Sequence, residues 1–152
     1  MIEEIKKQIL LKYRSLYEPN YSEVCVPTNE SIALRNELKK IAEIIDVTDE
    51  NNDVGFILSV KGNLANYTLM ISWVGNYVAI LGHLGNSMMQ AISENGKDEL
   101  LNKLINKIKS SGFYILDDNL LRKSIDFVSI NSDEDKTRIY KILFTDDDID
   151  FG

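Results

Sequence analysis

The chain has 152 residues, 44% of them hydrophobic and 27% charged, with one cysteine and a formal net charge of −7. That length suits one domain burying about 68–70% of its unfolded surface. The lone Cys25 excludes an intrachain disulfide and fits a reducing compartment. The negative field repels nucleic acid and anionic lipid and draws in basic partners.

The opening Met1-Ile2-Glu3-Glu4-Ile5-Lys6-Lys7 is charged and lacks the apolar core of a signal peptide, and no apolar run reaches the ~20 residues of a membrane span, so a cytoplasmic protein is expected. Ile2, Ile5, Ile9, Tyr13, Leu16 and Tyr17 predict a first helix over Ile2 to Tyr17, ended by Pro19. After a connector and Pro27, Thr28 or Asn29 caps a second helix whose stripe is Leu34, Leu38, Ile41, Ala42 and Ile45. Asp46 to Asp53 reads as an acidic loop.

Val54 to Leu84 then predicts a β-meander. Gly62-Asn63 and Gly75-Asn76 each read as a two-residue hairpin loop, because glycine supplies the positive φ of primed turns. The first loop sets Val60 against Ala65, Leu58 against Tyr67, Phe56 against Leu69 and Val54 against Ile71. The second sets Trp73 against Val78, Ile71 against Ile80, Leu69 against Gly82 and Tyr67 against Leu84. The two-residue period puts this whole set on one face, with Phe56, Leu69, Ile71 and Ile80 buried and Trp73 packing among them.

Gly85-Asn86 is a third turn, leading to a less regular strand over Ser87 to Ile92. Leu100, Leu101, Leu104, Ile105 and Ile108 define a helix between Lys97 and Ser111, with Gly112 beyond its end. Phe113 to Leu116 reads as a strand, and Asp117 caps a short helical turn. Ile125 to Ile130 and Arg138 to Phe144 read as the last two strands, joined by the polar loop Asn131 to Lys136. The order α-α-β-β-β-(β)-α-β-β-β predicts a single α+β domain over residues 1–152. Its sheet is largely antiparallel and built on the central meander, its helices pack on one face, and residues 145–152 form an acidic tail.

No catalytic motif is present. His83 and Cys25 lack a third orienting group for nucleophilic catalysis and leave a zinc site two ligands short. Asp146, Asp148 and Asp150 imitate the start of a calcium loop, but Phe151 stands where its glycine belongs; Asn131, Asp133 and Asp135 have Lys136 at that place. Phosphate-binding glycine loops and the Gly-x-Ser-x-Gly elbow are absent. No catalytic residue, cofactor or metal is therefore expected. The second sheet face carries Met70, Val74, Tyr77 and Leu81 beside Thr68, Ser72 and His83; it is either covered by other elements or a partner surface anchored by Tyr77.

The tail Leu143-Phe144-Thr145-Asp146-Asp147-Asp148 and the segment Gly112-Phe113-Tyr114-Ile115-Leu116-Asp117-Asp118 resemble the small acidic α+β immunity proteins of bacterial contact-dependent inhibition and polymorphic toxin systems. The resemblance implies a non-catalytic protein, monomeric or a weak homodimer, that neutralises a basic, nuclease-like toxin domain by stoichiometric binding. Its expected contacts are Asp117, Asp118, Asp133, Glu134, Asp135, Asp146, Asp147, Asp148 and Asp150, with Tyr77 as the aromatic anchor. Two other readings stand beside it. The meander is similar to that of dimeric secretion chaperones, although two helices precede the sheet and a strand and acidic tail close it. An enzyme with a dispersed site would show a concave pocket, with His83 beside a carboxylate as its expected marker.

Overall fold

The computed structural model of the protein describes residues 1–85, 88–129 and 134–151. The expected Gly85-Asn86 turn, the strand start at Ser87, Ile130 and Asp133 fall partly or wholly outside the described residues.

The class is α+β, in the order α1 (Ile2–Tyr13), α2 (Asn29–Lys39), β1 (Glu43–Asp46), β2 (Gly55–Lys61), β3 (Asn66–Ser72), β4 (Tyr77–Gly85), β5 (Met88–Ala91), α3 (Glu99–Ser110), β6 (Tyr114–Ile115), α4 (Asp118–Arg122), β7 (Ser124–Asp126), β8 (Lys136–Arg138) and α5 (Ile139–Leu143). Strands β1 to β5 form a consecutive antiparallel sheet. The short β6 joins it in parallel, beside the first residues of β4. A separate ribbon pairs β7 with β8.

The meander has the expected buried face and a different register. Val60 pairs with Tyr67, Leu58 with Leu69 and Phe56 with Ile71; Leu69 pairs with Ile80 and Ile71 with Val78. Each pairing is displaced by two residues from the expected one, so every side chain keeps its face. The loops are four residues long, Gly62 to Ala65 and Trp73 to Asn76. Neither Gly62 nor Gly75 has a positive φ. Their need for glycine is steric instead: a Cβ on Gly62 would lie 2.5 Å from the Tyr67 ring and 2.6 Å from Asp98 Oδ2, and one on Gly75 would lie 2.8 Å from the Tyr77 ring.

Helices cover both sheet faces, not one. On the first, α2 and α3 bring Leu34, Leu38, Leu101, Leu104, Ile105 and Ile108 against Phe56, Leu58, Leu69, Ile71, Trp73 and Ile80. On the second, α1 and the C-terminal elements bury Met70, Val74, Ala79 and Leu81 beneath Ile5, Ile9, Tyr13, Tyr140 and Leu143. The sheet is thus sandwiched, which accounts for a second face almost without charge.

Several element boundaries differ from the sequence reading: of the strand expected over Ile125 to Ile130, β7 keeps only Ile125 and Asp126 among the described residues, and Lys136, expected in the loop, opens β8. Helix α1 stops at Tyr13 because Arg14 takes the left-handed conformation at φ 70°, and the Ser15 hydroxyl accepts from the Tyr17 and Glu18 N–H groups in a tight turn. Helix α2 stops at Lys39, and its supposed last turn is β1, with Ile44 opposite Val60 at the sheet edge. Arg138 to Phe144 is chiefly α5 rather than a strand. Ile139, Tyr140, Ile142, Leu143 and Phe144 are all buried, and so short an unbroken apolar run carries no periodicity to separate helix from strand. Among the described residues no helix is long and apolar enough to cross a membrane.

Candidate functional site

The loop before β2 and the segment after α5 are zipped together by backbone hydrogen bonds. Asp53 and Thr145 form an antiparallel bridge. The Val54 N–H donates to the Phe144 carbonyl at 2.9 Å and the Asp146 N–H to the Asn52 carbonyl at 2.8 Å. Helix α5 is tied down from two sides: the Ser72 hydroxyl donates to the Leu143 carbonyl at 2.7 Å and the Tyr13 hydroxyl to the Ile142 carbonyl at 2.6 Å. The β7–β8 ribbon is held by Thr137, whose hydroxyl donates to the Phe127 carbonyl at 2.7 Å.

Between ribbon, helix and following segment lies a cleft of about 770 Å³. Lys136, Arg138 and Lys141 face it, with Glu134, Asp146 and Asp148 as counter-charges. It is a charge-balanced concavity on a strongly acidic chain. An inner chamber of about 150 Å³ shares Ser129, Thr137, Lys141 and Asp146 with the cleft and extends to Asp53, Tyr13 and Phe127. Lys141 is the one cationic side chain among the four residues that line both spaces.

Lys141 Nζ lies 2.5 Å from Asp148 Oδ1. The hydrogen bond from Lys141, with its charge, holds the Asp148 carboxyl below the usual carboxylate range, and Arg138 adds to this. The same bond raises Lys141, so the pair stays ionised at neutral pH. Asp53 is the opposite case. It is 4% exposed; Oδ2 accepts from the Asp49 N–H at 2.6 Å, while Oδ1 is buried without a hydrogen-bond partner. Burial raises its pKa against hydrogen bonds from Thr145 and Asp49, and the charges of Asp147 and Asp49 push the same way. A carboxyl so placed in a cavity wall holds its proton more readily than an exposed aspartate does.

The acidic residues expected at an interface do not form one surface. Asp117 caps α4 through the Leu120 N–H, and Asp118 pairs with Arg122 at 2.8 Å; neither lines the cleft. Glu134 and Asp135 are exposed, with Glu134 at the cleft edge, and Asp147 is exposed. Asp146 and Asp148 belong to the cleft. Asp150 is docked, its carbonyl accepting from the Met89 N–H at 2.8 Å beside a parallel bridge to Met88. Asp133 lies outside the described residues. Tyr77, expected as an exposed anchor, is 5% exposed in the core beneath α1. Nor is the tail a loose end, since Phe151 is buried under the Arg122 guanidinium, 5.4 Å from its ring centroid.

His83 is exposed and bonded to Thr68 at 3.2 Å, away from the cleft lining. Cys25 is exposed at the inner chamber. Among the described residues no group of three His, Cys, Asp or Glu side chains is placed to hold a metal ion. Sequence reasoning passed over Lys136, Arg138, Lys141 and Asp53. The available signal was the basic spacing Lys136-x-Arg138-x-x-Lys141 inside an otherwise acidic C-terminal stretch.

No family model matches the chain, and no solved structure matches it. A curated relative from Methanococcus maripaludis, described as a probable glucose-6-phosphate isomerase, is 24% identical over 137 residues. The match covers 89% of this chain and 30% of the relative, so the chain spans under a third of that protein's length. This likeness overturns the expectation of a non-catalytic immunity protein, because it runs toward a protein described as an enzyme. Small acidic α+β composition and a missing motif fit many proteins, and that breadth is why they misdirected the reading.

Proposed function

We propose that this chain is an enzyme domain that binds a sugar phosphate in the C-terminal cleft and moves a proton on it. The observation that carries the reading is a pair of adjoining spaces that share Lys141: a cleft with Lys136 and Arg138 in its wall, and a chamber whose wall holds Asp53, a buried carboxyl of raised pKa. Such a combination of a concave site, a few aimed polar groups and a perturbed acid marks catalytic pockets. The likeness to a protein described as a probable glucose-6-phosphate isomerase supports glucose 6-phosphate as the first ligand to try.

In this reading Lys136, Arg138 and Lys141 take the phosphate, for which cationic donors are the natural partners. Isomerising a sugar needs a group that accepts a proton and returns it. Asp53 is the residue assigned that task, at the end of the inner chamber. The protein is taken as cytoplasmic, in keeping with its single thiol.

Titration with glucose 6-phosphate followed by NMR tests the reading. Shifts centred on Lys136 to Lys141 are expected, together with exchange of a substrate carbon-bound proton for solvent deuterium. Lys141→Ala should weaken binding about tenfold or more, as loss of a charge-assisted contact does. Binding that is absent at millimolar ligand, or shifts confined to residues outside the cleft, would refute it.

A further inference from the structure

Asp148 is exposed over 93% of its side chain, yet its carboxylate is held at 2.5 Å by Lys141, whose own side chain is only 26% exposed. An exposed aspartate ordinarily keeps its charge in water, where an isolated surface pair contributes little. Here the neighbouring backbone fixes its position, since the Ile149 N–H donates to the Tyr140 hydroxyl at 3.2 Å. Tyr140 itself is buried in α5 beside Lys141. The result is an anion of the chain's own, seated on a cleft lysine and within the influence of Arg138.

We infer that the Lys141–Asp148 pair marks the seat of a phosphate or phosphate monoester, and that Asp148 is the internal anion which the ligand displaces. The inference rests on the sugar-phosphate reading above and deepens it by naming the anion subsite and the residue that sets its affinity. A carboxylate and a phosphate both offer anionic oxygens to an ammonium group, so one can replace the other. Displacement costs the fraction of molecules in which the pair is open: ligand affinity falls in proportion to that fraction. Asp148 thus weakens the binding of simple anions about a few-fold and favours a ligand with a second point of attachment, such as the hydroxylated body of a sugar reaching toward the inner chamber.

The test uses the whole chain and two probes, inorganic phosphate and glucose 6-phosphate, measured by calorimetric titration. Asp148→Asn lies on the surface and leaves α5 intact, while Asp147→Asn removes the same charge one residue away from the cleft lining. Asp148→Asn should tighten inorganic phosphate about three- to sixfold, the range set by opening a strong surface pair, whereas Asp147→Asn should change it by less than about twofold. Adding Lys141→Gln to Asp148→Asn should abolish the gain. Equal tightening by both asparagine variants, or none by Asp148→Asn, overturns the inference. If native protein binds glucose 6-phosphate but Asp148→Asn brings no gain with either probe, the subsite assignment falls and the sugar-phosphate reading stands. If native and variant proteins bind neither probe, both fall.

Discussion

Asp98 and Asp53 are each only 4% exposed, and the chain provides for the two carboxylates in opposite ways. Asp98 caps α3 and is surrounded by donors: Oδ1 accepts from the Leu100 and Leu101 N–H groups, and Oδ2 accepts from the Leu64 N–H and the Tyr67 hydroxyl. Burial alone would raise its pKa, but these bonds outweigh burial and hold it below the usual range. The Tyr67 hydroxyl, desolvated and committed to Asp98, is pushed up to about 12. Asp53 has donors on one oxygen only and is raised. A buried carboxylate with every lone pair engaged organises structure. One left half-engaged in the wall of a cavity retains chemical potential for a ligand or a proton.

Removing Asp98 should produce the largest effect. Asp98→Ala deletes a helix cap and strands the Leu64 N–H and Tyr67 hydroxyl, at a cost of about 3 kcal/mol in urea unfolding. Because its folded pKa is lowered, the stability Asp98 contributes is complete above the unfolded-state value and lost as pH falls through the folded one. The native protein should therefore show an acid-side decline that Asp98→Ala lacks. A loss below about 1 kcal/mol would reduce Asp98 to an ordinary surface cap.

Gly62→Ala sharpens the comparison from the steric side. The added methyl would meet both the Tyr67 ring and Asp98 Oδ2 inside contact distance, and a cost of about 1–3 kcal/mol is expected. Gly96→Ala, which meets nothing within 4 Å, should stay within about 0.5 kcal/mol of native. Similar stabilities for the two alanine variants would show that Asp98 and the first meander loop are not tightly coupled.

Asp53→Asn should have the smallest effect at neutral pH, within about 1 kcal/mol of native. Its signature is a slope of opposite sign. A carboxyl with a raised folded pKa contributes stability that is present below the unfolded-state value and lost as pH rises through the folded one. Thermal unfolding followed upward from about pH 4, the unfolded-state value, should show that alkaline-going loss in native protein and its disappearance in Asp53→Asn. A native slope running the other way would mean that Asp53 is satisfied after all.

The sequence was most legible where alternation was clean. Phe56, Leu69, Ile71 and Ile80 share a buried face as the period-two pattern requires, and the stop of α3 at Gly112 was readable from residue type, whereas its cap Asp98 was not singled out. Loop length was not, because a Gly-Asn pair inside a four-residue loop looks the same as one that forms a two-residue loop. The candidate site was nearly invisible. Lys141 and Asp148 meet within one local stretch, but Asp53 reaches the chamber that Lys141 also lines only through pairing with Thr145, across more than half the chain. Tertiary juxtaposition of that kind leaves no periodicity to detect. The acidic residues that did draw notice, Asp117 and Asp118, serve a helix terminus and an ion pair.

The four-residue loops of the meander have a bearing on how this fold tolerates change in chain length. Side-chain direction alternates residue by residue, so orientation across the sheet depends on whether a loop is odd or even, not on how long it is. Two residues added to Gly62–Ala65 would cost about 0.4 kcal/mol in closure entropy and leave Phe56 and Leu69 facing α2 and α3. One residue added there would offer the core either a bulge or an inverted strand. Insertions and deletions in this sheet are therefore governed by parity, and relatives of this chain are expected to differ at these two turns by even numbers.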